Sequence, residues 1–182
     1  MDRRQKKTRN AIFQALSKLL ETTRFEYITV QQIIDEANIG RSTFYAHFET
    51  KDELLKALCT DIFQHVFSEE LMAEQTHDFS SDSSLRSKVT HILYHLREKK
   101  EISSMFTSDS SELFVRCFRG YLVELFSQYE DGYPEKIPAE FVKNHLTGSF
   151  IEMVRWWCLK GMKDSPEEIT EYYMTLIAPT FC

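Results

Sequence analysis

Residues 41–48 combine several polar and basic side chains with no carboxylate. Guanidinium, hydroxyl and imidazole groups on a short helix are the groups that contact base edges and phosphate oxygens in the major groove of duplex DNA. In this segment they belong to Arg41, Ser42, Thr43, Tyr45 and His47. A solvated polar helix face uses the same residue types, so the neighbouring elements have to decide between the two interpretations.

A tight turn between two short helices would hold this segment in place. Thr29 and Gln32 match the capping box that begins a helix, and Asn38 and Gly40 both tolerate the left-handed backbone angles of a turn. We therefore expect one helix to end before Asn38 and a second to occupy residues 41–48. This order of elements is typical of the helix-turn-helix proteins that read bases in the major groove.

Two aromatic residues predict which side of the second helix is buried. Phe44 and Phe48 are four residues apart and share a face, which leaves the polar residues facing outwards. Lys51 begins the next helix, after a further capping-box pair formed by Thr50 and Glu53. Its charge and the free N–H groups at the helix start predict a phosphate contact. The inward pair and the turn together favour DNA binding over a solvated face.

Charge is distributed unevenly along the 182 residues. The net charge is −6, which argues against binding nucleic acid over the whole surface. Residues 1–60 have 10 Lys and Arg against 8 Asp and Glu, whereas residues 61–182 have 12 against 20. The first nine residues contain five of the basic side chains. Taken alone, this end is expected to be a frayed, solvated terminus, but beside a helix-turn-helix it supplies charge for phosphate contacts.

Apolar residues recur at helical spacing almost throughout, and this pattern predicts an all-α fold. The longest expected helix runs from about residue 51 to residue 74, with one apolar stripe for each of two neighbouring cores. Ser165 with Glu168 forms another capping box, with Pro166 at the first helical position of the last helix. The other helices are expected at 85–96, 110–129 and 139–159.

The sequence lacks the patterns of an enzyme, a metal site or a membrane protein. The four cysteines are widely spaced, which indicates reduced thiols in a cytoplasmic protein. No apolar run approaches the roughly 18 residues that span a membrane, and no signal peptide is recognisable. His91 and His95 are one helical turn apart, and we expect a solvated pair rather than a metal site. No catalytic residue, cofactor or resident metal is predicted.

From about residue 8 to residue 58 the chain resembles the N-terminal domain of the TetR/AcrR family of bacterial transcriptional regulators. The matching residues are Ile28-Thr29-Val30, Ile33, Ala37, Gly40-Arg41-Ser42-Thr43-Phe44-Tyr45, His47-Phe48, Lys51 and Glu53-Leu54-Leu55. Asn38 departs from the family, which usually has glycine in the turn, although asparagine can adopt the same backbone angles. Residues 148–177 more loosely resemble the C-terminal region of one subgroup of the family.

The resemblance implies a three-helix DNA-binding domain, residues 1–50, and a larger helical domain for effector binding and dimerisation, residues 51–182. By match of position, the expected DNA contacts are Thr29, Arg41, Ser42, Thr43, Tyr45, His47 and Lys51. It also implies a regulator of transcription, with double-stranded operator DNA as its partner. The residue at position 41 varies within the family, so the operator sequence does not follow from it.

A recognition helix of about two turns contacts too few base pairs to select one site, which predicts a homodimer on a palindromic operator. The resembled family dimerises through its last two long helices, and Gly148 would permit a close approach there. The expected interface residues are Leu146, Phe150, Met153, Trp157, Ile169, Tyr173 and Leu176.

Aromatic residues and methionines in the second domain suggest an effector cavity, as in the resembled family, although a stripe of this kind is more often plain core. The candidate pocket residues are Phe63, Phe67, Met105, Phe106, Phe114, Phe118 and Tyr121. The effector is unknown and would act by shifting the population of dimer conformations.

Three alternatives stay open at this point. The protein is expected to be a repressor, but an activator, or a family member that binds a coactivator, has the same sequence features. Outside the DNA-binding class, a helical small-molecule carrier and a helical adaptor protein remain as rivals. Neither of these would show a salt-dependent affinity for DNA.

Overall fold

The computed structural model describes residues 3–67, 84–99, 103–107 and 112–181, with side chains omitted at 62–67 and 104. Within these ranges the chain forms helices and no strand, so the predicted all-α fold is confirmed. The helices are α1 (Arg3–Leu20), α2 (Val30–Ala37), α3 (Arg41–Tyr45), α4 (Lys51–Phe67), α5 (Leu85–Glu98), α6 (Glu112–Ser127), α7 (Ala139–Leu159) and α8 (Pro166–Ile177). Short 3₁₀ segments lie at Phe25–Tyr27, Ser104–Phe106, Glu130–Gly132 and Ala178–Thr180.

The first three helices enclose a small core together with the first turns of α4. Ile12 and Leu16 of α1 are fully buried, as are Ile33 of α2 and Phe44 of α3. The α4 side of this core is closed by Leu54, Leu55 and Leu58. The apolar face of α1 is buried in this core. Burial removes its hydrocarbon from water, and this stabilises the helix.

Two capping boxes begin helices where the sequence predicts them. The Thr29 hydroxyl accepts a bond from the Gln32 backbone N–H at 3.2 Å, and Gln32 Oε1 accepts from the Thr29 N–H at 2.8 Å. Ser165 and Glu168 repeat the arrangement at 3.2 and 2.7 Å, with Pro166 at the first helical position of α8. Both pairs satisfy N–H groups that have no partner inside the helix.

The predicted third box at the start of α4 is formed differently. Thr50 caps the helix as expected, because its hydroxyl accepts a bond from the Glu53 N–H at 3.1 Å. The Glu53 carboxylate, however, accepts from the N–H of Glu49 at 2.7 Å. It therefore reaches one residue further back than a capping box requires, towards the turn that follows α3.

The larger domain has an aromatic core. The Phe106 ring meets those of Phe114 and Phe118 edge-on, each with a centroid separation of 5.0 Å. Phe118 then contacts Phe150 of α7, which lies edge-on against Tyr173 of α8 at 5.2 Å. This chain of rings joins four elements, and edge-to-face pairs add to the free energy gained from burial alone.

Helix α4 packs against both domains. Its first turns belong to the small core, and further along it lies against α5 and α6. The Tyr121 hydroxyl of α6 donates to Thr60 Oγ1 at 2.5 Å, and Cys59 is fully buried beside this contact. Among the described residues, helix α4 therefore contacts both the small core and the helices of the larger domain. The side chains of its second predicted apolar stripe lie outside the described residues.

The cap of α8 gives a prediction for stability. Ser165→Ala removes the acceptor of the Glu168 N–H and is expected to lower the free energy of unfolding by about 1 kcal/mol. Urea unfolding followed by circular dichroism measures the change. Thr175→Ala, at an exposed position of the same helix, is the matched control and should be nearly neutral. Equal losses in the two variants would contradict the capping role.

Candidate nucleic-acid interface

The turn between α2 and α3 depends on one left-handed residue. Asn38 has φ 50° and ψ 51°, which confirms the prediction for this position. Gly40 differs from the prediction, because its φ of −78° and ψ of 152° are extended backbone that any residue can adopt. A Cβ built on Gly40 would lie 3.6 Å from Thr43 Oγ1, an ordinary contact. The turn within the chain therefore requires Asn38, and it does not require glycine at position 40.

Helix α3 is shorter than predicted, but it presents the predicted faces. It ends at Tyr45 rather than Phe48, and residues 46 and 47 form a turn. The Phe48 N–H still bonds to the Phe44 carbonyl at 2.9 Å, which keeps both rings on one side. Phe44 and Phe48 are buried with centroids 6.1 Å apart, as expected. They fix the helix on the small core.

The opposite face of α3 is open to solvent. Arg41, Ser42 and Tyr45 are exposed, whereas Thr43 and His47 are half-buried. The Arg41 guanidinium lies 5.9 Å from the centre of the Tyr45 ring, and that ring stands edge-on against Phe44 at 5.4 Å. The structure therefore brings the donors of Arg41 and Tyr45 together, and the buried Phe44 ring supports the Tyr45 ring.

Two of the predicted contacts outside α3, Thr29 and Lys51, have roles within the protein. Thr29 is exposed, but its hydroxyl is engaged in the capping box of α2. Lys51 is half-buried, and its ammonium donates to the backbone carbonyls of Phe25, Glu26 and Ile28 at 2.9, 2.9 and 2.8 Å. An ammonium has three hydrogens, and all three are used by these carbonyls. The phosphate contact of Lys51 stays a prediction.

The basic N-terminus is helical from Arg3 onwards, where a frayed arm was expected, and its early basic side chains are exposed to solvent as expected. Helix α1 begins at Arg3, so the early basic side chains lie on a continuous helix. The Arg9 guanidinium lies over the rings of Phe13 and Phe48, at 5.0 and 5.5 Å from their centres. It thus connects α1 to the end of the α3 turn. The missed signal is that lysine, arginine and glutamine are themselves good helix formers.

The residues predicted for an effector pocket are mostly packed on one another. Met105, Phe106, Phe114 and Phe118 are buried, and their ring contacts fill the space between them. Tyr121 is half-buried and bonded to Thr60. The side chains of Phe63 and Phe67 lie outside the described residues. An effector at this position would have to separate rings that are in contact.

Five of the seven residues predicted for a dimer interface are buried within the monomer. Leu146, Phe150, Trp157, Ile169 and Tyr173 are at most 2% exposed. Leu146, Phe150, Trp157 and Ile169 present no surface to a partner, because α6 and α8 pack on the inner face of α7. Tyr173 reaches the groove between α7 and α8. The four fully buried side chains would support an interface from within the monomer rather than contact a partner, and α7 and α8 are the helices that carry the open apolar surface.

That open surface is a groove of about 540 Å³ between α7 and α8, which we call the outer groove. The predicted interface residues Met153 and Leu176 belong to it, and Leu176 is 79% exposed. Its other lining residues are His145, Ser149, Trp156, Tyr172, Tyr173 and Ile177. A Cβ on the nearby Gly148 would meet nothing within 4 Å.

The histidine pair on α5 is buried rather than solvated. His91 and His95 are 1% and 5% exposed, and their Nε2 atoms are 3.0 Å apart. The expectation of a solvated pair is therefore wrong, because this side of α5 faces the interior. In the described parts of the chain, no three histidine, cysteine or acidic side chains form a group that could hold a metal ion.

The described cysteines are weak nucleophiles. Burial raises the pKa of the thiols of Cys59, Cys117 and Cys158, for Cys158 to about 11. They remain protonated near neutral pH.

No helix among the described residues has the length and apolar character that crossing a bilayer demands.

Two sequence families match the chain. The family described as bacterial regulatory proteins, tetR family, matches residues 12–58, and the transcriptional regulator C-terminal region of TetR proteins matches residues 83–179. The second match alone covers more than half of the chain. The two together include every helix described above except the start of α1 and the end of α4.

Two solved structures of such regulators are similar to this chain. A TetR transcriptional regulator from Streptococcus agalactiae 2603V has a solved structure with 34% identity and a TM-score of 0.75, covering 97% of this chain and 96% of that one. SmeT, the repressor of the Stenotrophomonas maltophilia multidrug efflux pump SmeDEF, shares the fold at 16% identity and a TM-score of 0.66, over 96% and 90% of the two chains.

A third match is confined to part of the chain. The uncharacterized HTH-type transcriptional regulator YxbF of Bacillus subtilis (strain 168) is 38% identical over 71 residues. These residues are 36% of this chain and 19% of that protein, so the chain spans only a small part of its length.

The left-handed turn gives a prediction. Asn38→Ala places a residue with a Cβ, and without the amide of asparagine, at a positive φ, and should lower the free energy of unfolding by about 1 kcal/mol. Asn38→Gly should retain wild-type stability. Thermal unfolding compares the variants, with Asn10→Ala in the exposed part of α1 as the control. A stable Asn38→Ala variant would show that the turn does not depend on this angle.

Proposed function

The chain belongs to the TetR family of transcriptional regulators, and from this we propose that it is a ligand-responsive repressor that binds a palindromic operator as a homodimer in the cytoplasm. The observation that carries the proposal is the outer face of α3. Its donors at Arg41, Ser42 and Tyr45 are exposed, the helix has no carboxylate, and buried rings hold it from behind.

The shape of this face suits the major groove. A short helix can enter a groove about 12 Å wide, and its exposed donors then meet base edges and phosphates. Arg41 would contact a guanine edge or a phosphate. The Thr43 methyl group would meet a thymine methyl, while Tyr45 and His47 would contact phosphate oxygens. The ordered basic face of α1, with Arg3, Lys6 and Lys7, adds positive charge on the same domain.

A second copy of the chain is the proposed occupant of the outer groove. One α3 helix reads too few base pairs, so two copies about 34 Å apart are needed to select a palindrome. The groove and its surroundings expose large apolar side chains: Leu176 at 79%, Leu159 at 70% and Phe141 at 66%. Apolar side chains at this density mark an interaction surface. We therefore assign the interface to these outer residues, supported from below by the buried five.

The proposal also includes repression and effector binding. SmeT is a repressor, but at 16% identity it supports only the shared fold. An activator, or a member that binds a coactivator, is the alternative within the family. The effector is a small molecule of unknown class, and its proposed site is the aromatic core around Phe106. Occupation would require an alternative packing of those rings, which is how a ligand would shift the population of dimer conformations.

The DNA-reading face gives a direct prediction. Arg41→Ala and Tyr45→Ala are each expected to lower affinity at least about tenfold for an operator selected by the wild-type protein from random duplexes. Fluorescence anisotropy at fixed salt measures the change.

Arg116→Ala, at an exposed position of α6, removes the same charge away from the face and serves as the control. If the wild-type protein showed no salt-dependent affinity for any duplex, the carrier or adaptor interpretation would replace this proposal.

The dimer interface gives a second prediction. Leu176→Glu places a charge in the outer groove, and the dimer is expected to dissociate because an unpaired charge would be buried. Sedimentation velocity reports the change in mass. Val123→Glu introduces the same charge at an exposed apolar position of α6 and should leave the dimer intact. A dimer that survives Leu176→Glu would place the interface elsewhere.

A further inference from the structure

Lys51 lies where three parts of the small domain meet. It is the first residue of α4, and its ammonium reaches back to the 3₁₀ segment Phe25–Tyr27 and to Ile28. Ile28 directly precedes Thr29, the residue that caps α2. One side chain therefore joins the start of α4 to the start of α2.

The surroundings of this ammonium leave it no free hydrogen. Its three donors meet the carbonyls of Phe25, Glu26 and Ile28 at 2.8–2.9 Å, which are short bonds of the charge-assisted kind. Its Nζ also lies 4.8 Å from the centre of the Phe25 ring. A phosphate contact would have to break one of these bonds, whereas an exposed lysine could contact phosphate at no such cost.

The electrostatics of the position agree with this arrangement. A positive side chain at the N-terminus of a helix is disfavoured by the helix dipole. Three carbonyl oxygens aimed at the ammonium offset that repulsion, because each presents partial negative charge. Lysine at this position is thus explained within the protein, without a bound phosphate.

We propose that Lys51 is a positioning residue that makes the starts of α2 and α4 one rigid unit, so that the recognition helix follows α4. The inference rests on the proposed DNA-binding function. The connection runs from Tyr121 and Thr60, where α6 contacts α4, along α4 to Lys51, and from there to Thr29 and the helix-turn-helix.

The test compares Lys51→Met with Lys56→Met, which removes the same charge from an exposed position one turn further along α4. Affinity for the selected operator is measured over a range of salt, at a temperature where both variants are folded. Lys51→Met is expected to lower affinity about tenfold, the scale of lost bonds to a charged group, with an unchanged slope of log affinity against log salt. Lys56→Met should retain affinity.

A phosphate contact would give the opposite result. In that case the slope for Lys51→Met would decrease by about 0.9, the value for one phosphate, and the inference would be overturned. Unchanged affinity in Lys51→Met would overturn it as well.

Amide hydrogen exchange separates this inference from the proposed function. In Lys51→Met, exchange at residues 28–32 is expected to become faster, while exchange in α7 stays the same. This outcome does not require DNA. If the protein bound no DNA, the proposed function would be refuted, and faster exchange in Lys51→Met would still support the positioning role of Lys51. Unchanged exchange at residues 28–32 would refute that positioning role alone.

The wild-type protein provides a further test, in which no substitution can cause unfolding. With ¹⁵N-labelled lysine, the Lys51 ammonium hydrogens should exchange slowly in the free protein and keep their chemical shift when operator is added. A shift comparable to those of the lysines on α1 would assign Lys51 to the DNA and overturn the inference.

Discussion

The DNA-reading surface depends on the anchoring of a helix that could not exist alone. Helix α3 has five residues, far below the length at which a peptide helix is stable in water. Phe44 and Phe48 bury its inner face, and the left-handed Asn38 sets the angle at which it leaves α2. Every exposed donor on the outer face takes its position from these three residues, so the small core matters for function as much as for stability.

The same dependence extends into the larger domain through α4. The buried leucines of its first turns complete the core under α3, and its later turns contact α5 and α6. The contacts of α4 are specific, as between Thr60 and Tyr121 of α6, and the Lys51 ammonium bonds to backbone carbonyls of the segment that precedes α2. Every residue has a backbone carbonyl whatever its side chain. Bonds to carbonyls therefore hold Lys51 in place even where the acceptor residues differ in side chain.

The outer groove shows how a surface is divided between folding and association. Helix α7 buries Leu146, Phe150 and Trp157 inside the monomer and leaves Met153 beside the groove. These four residues recur at a spacing of three or four positions, so the sequence alone places them on one helical face. Which of them face inwards depends on where α6 and α8 lie.

The sequence by itself determined the elements and their order: the all-α fold, the turn at Asn38, the two capping boxes and the inward Phe44 and Phe48. These follow from local rules, since caps, turns and helical faces involve residues a few positions apart. Tertiary structure alone decided the partners of Lys51, the burial of His91 and His95, and the exposed side of α7. Each of these depends on a group brought near by folding, such as a carbonyl more than twenty residues away, which no spacing along the chain encodes.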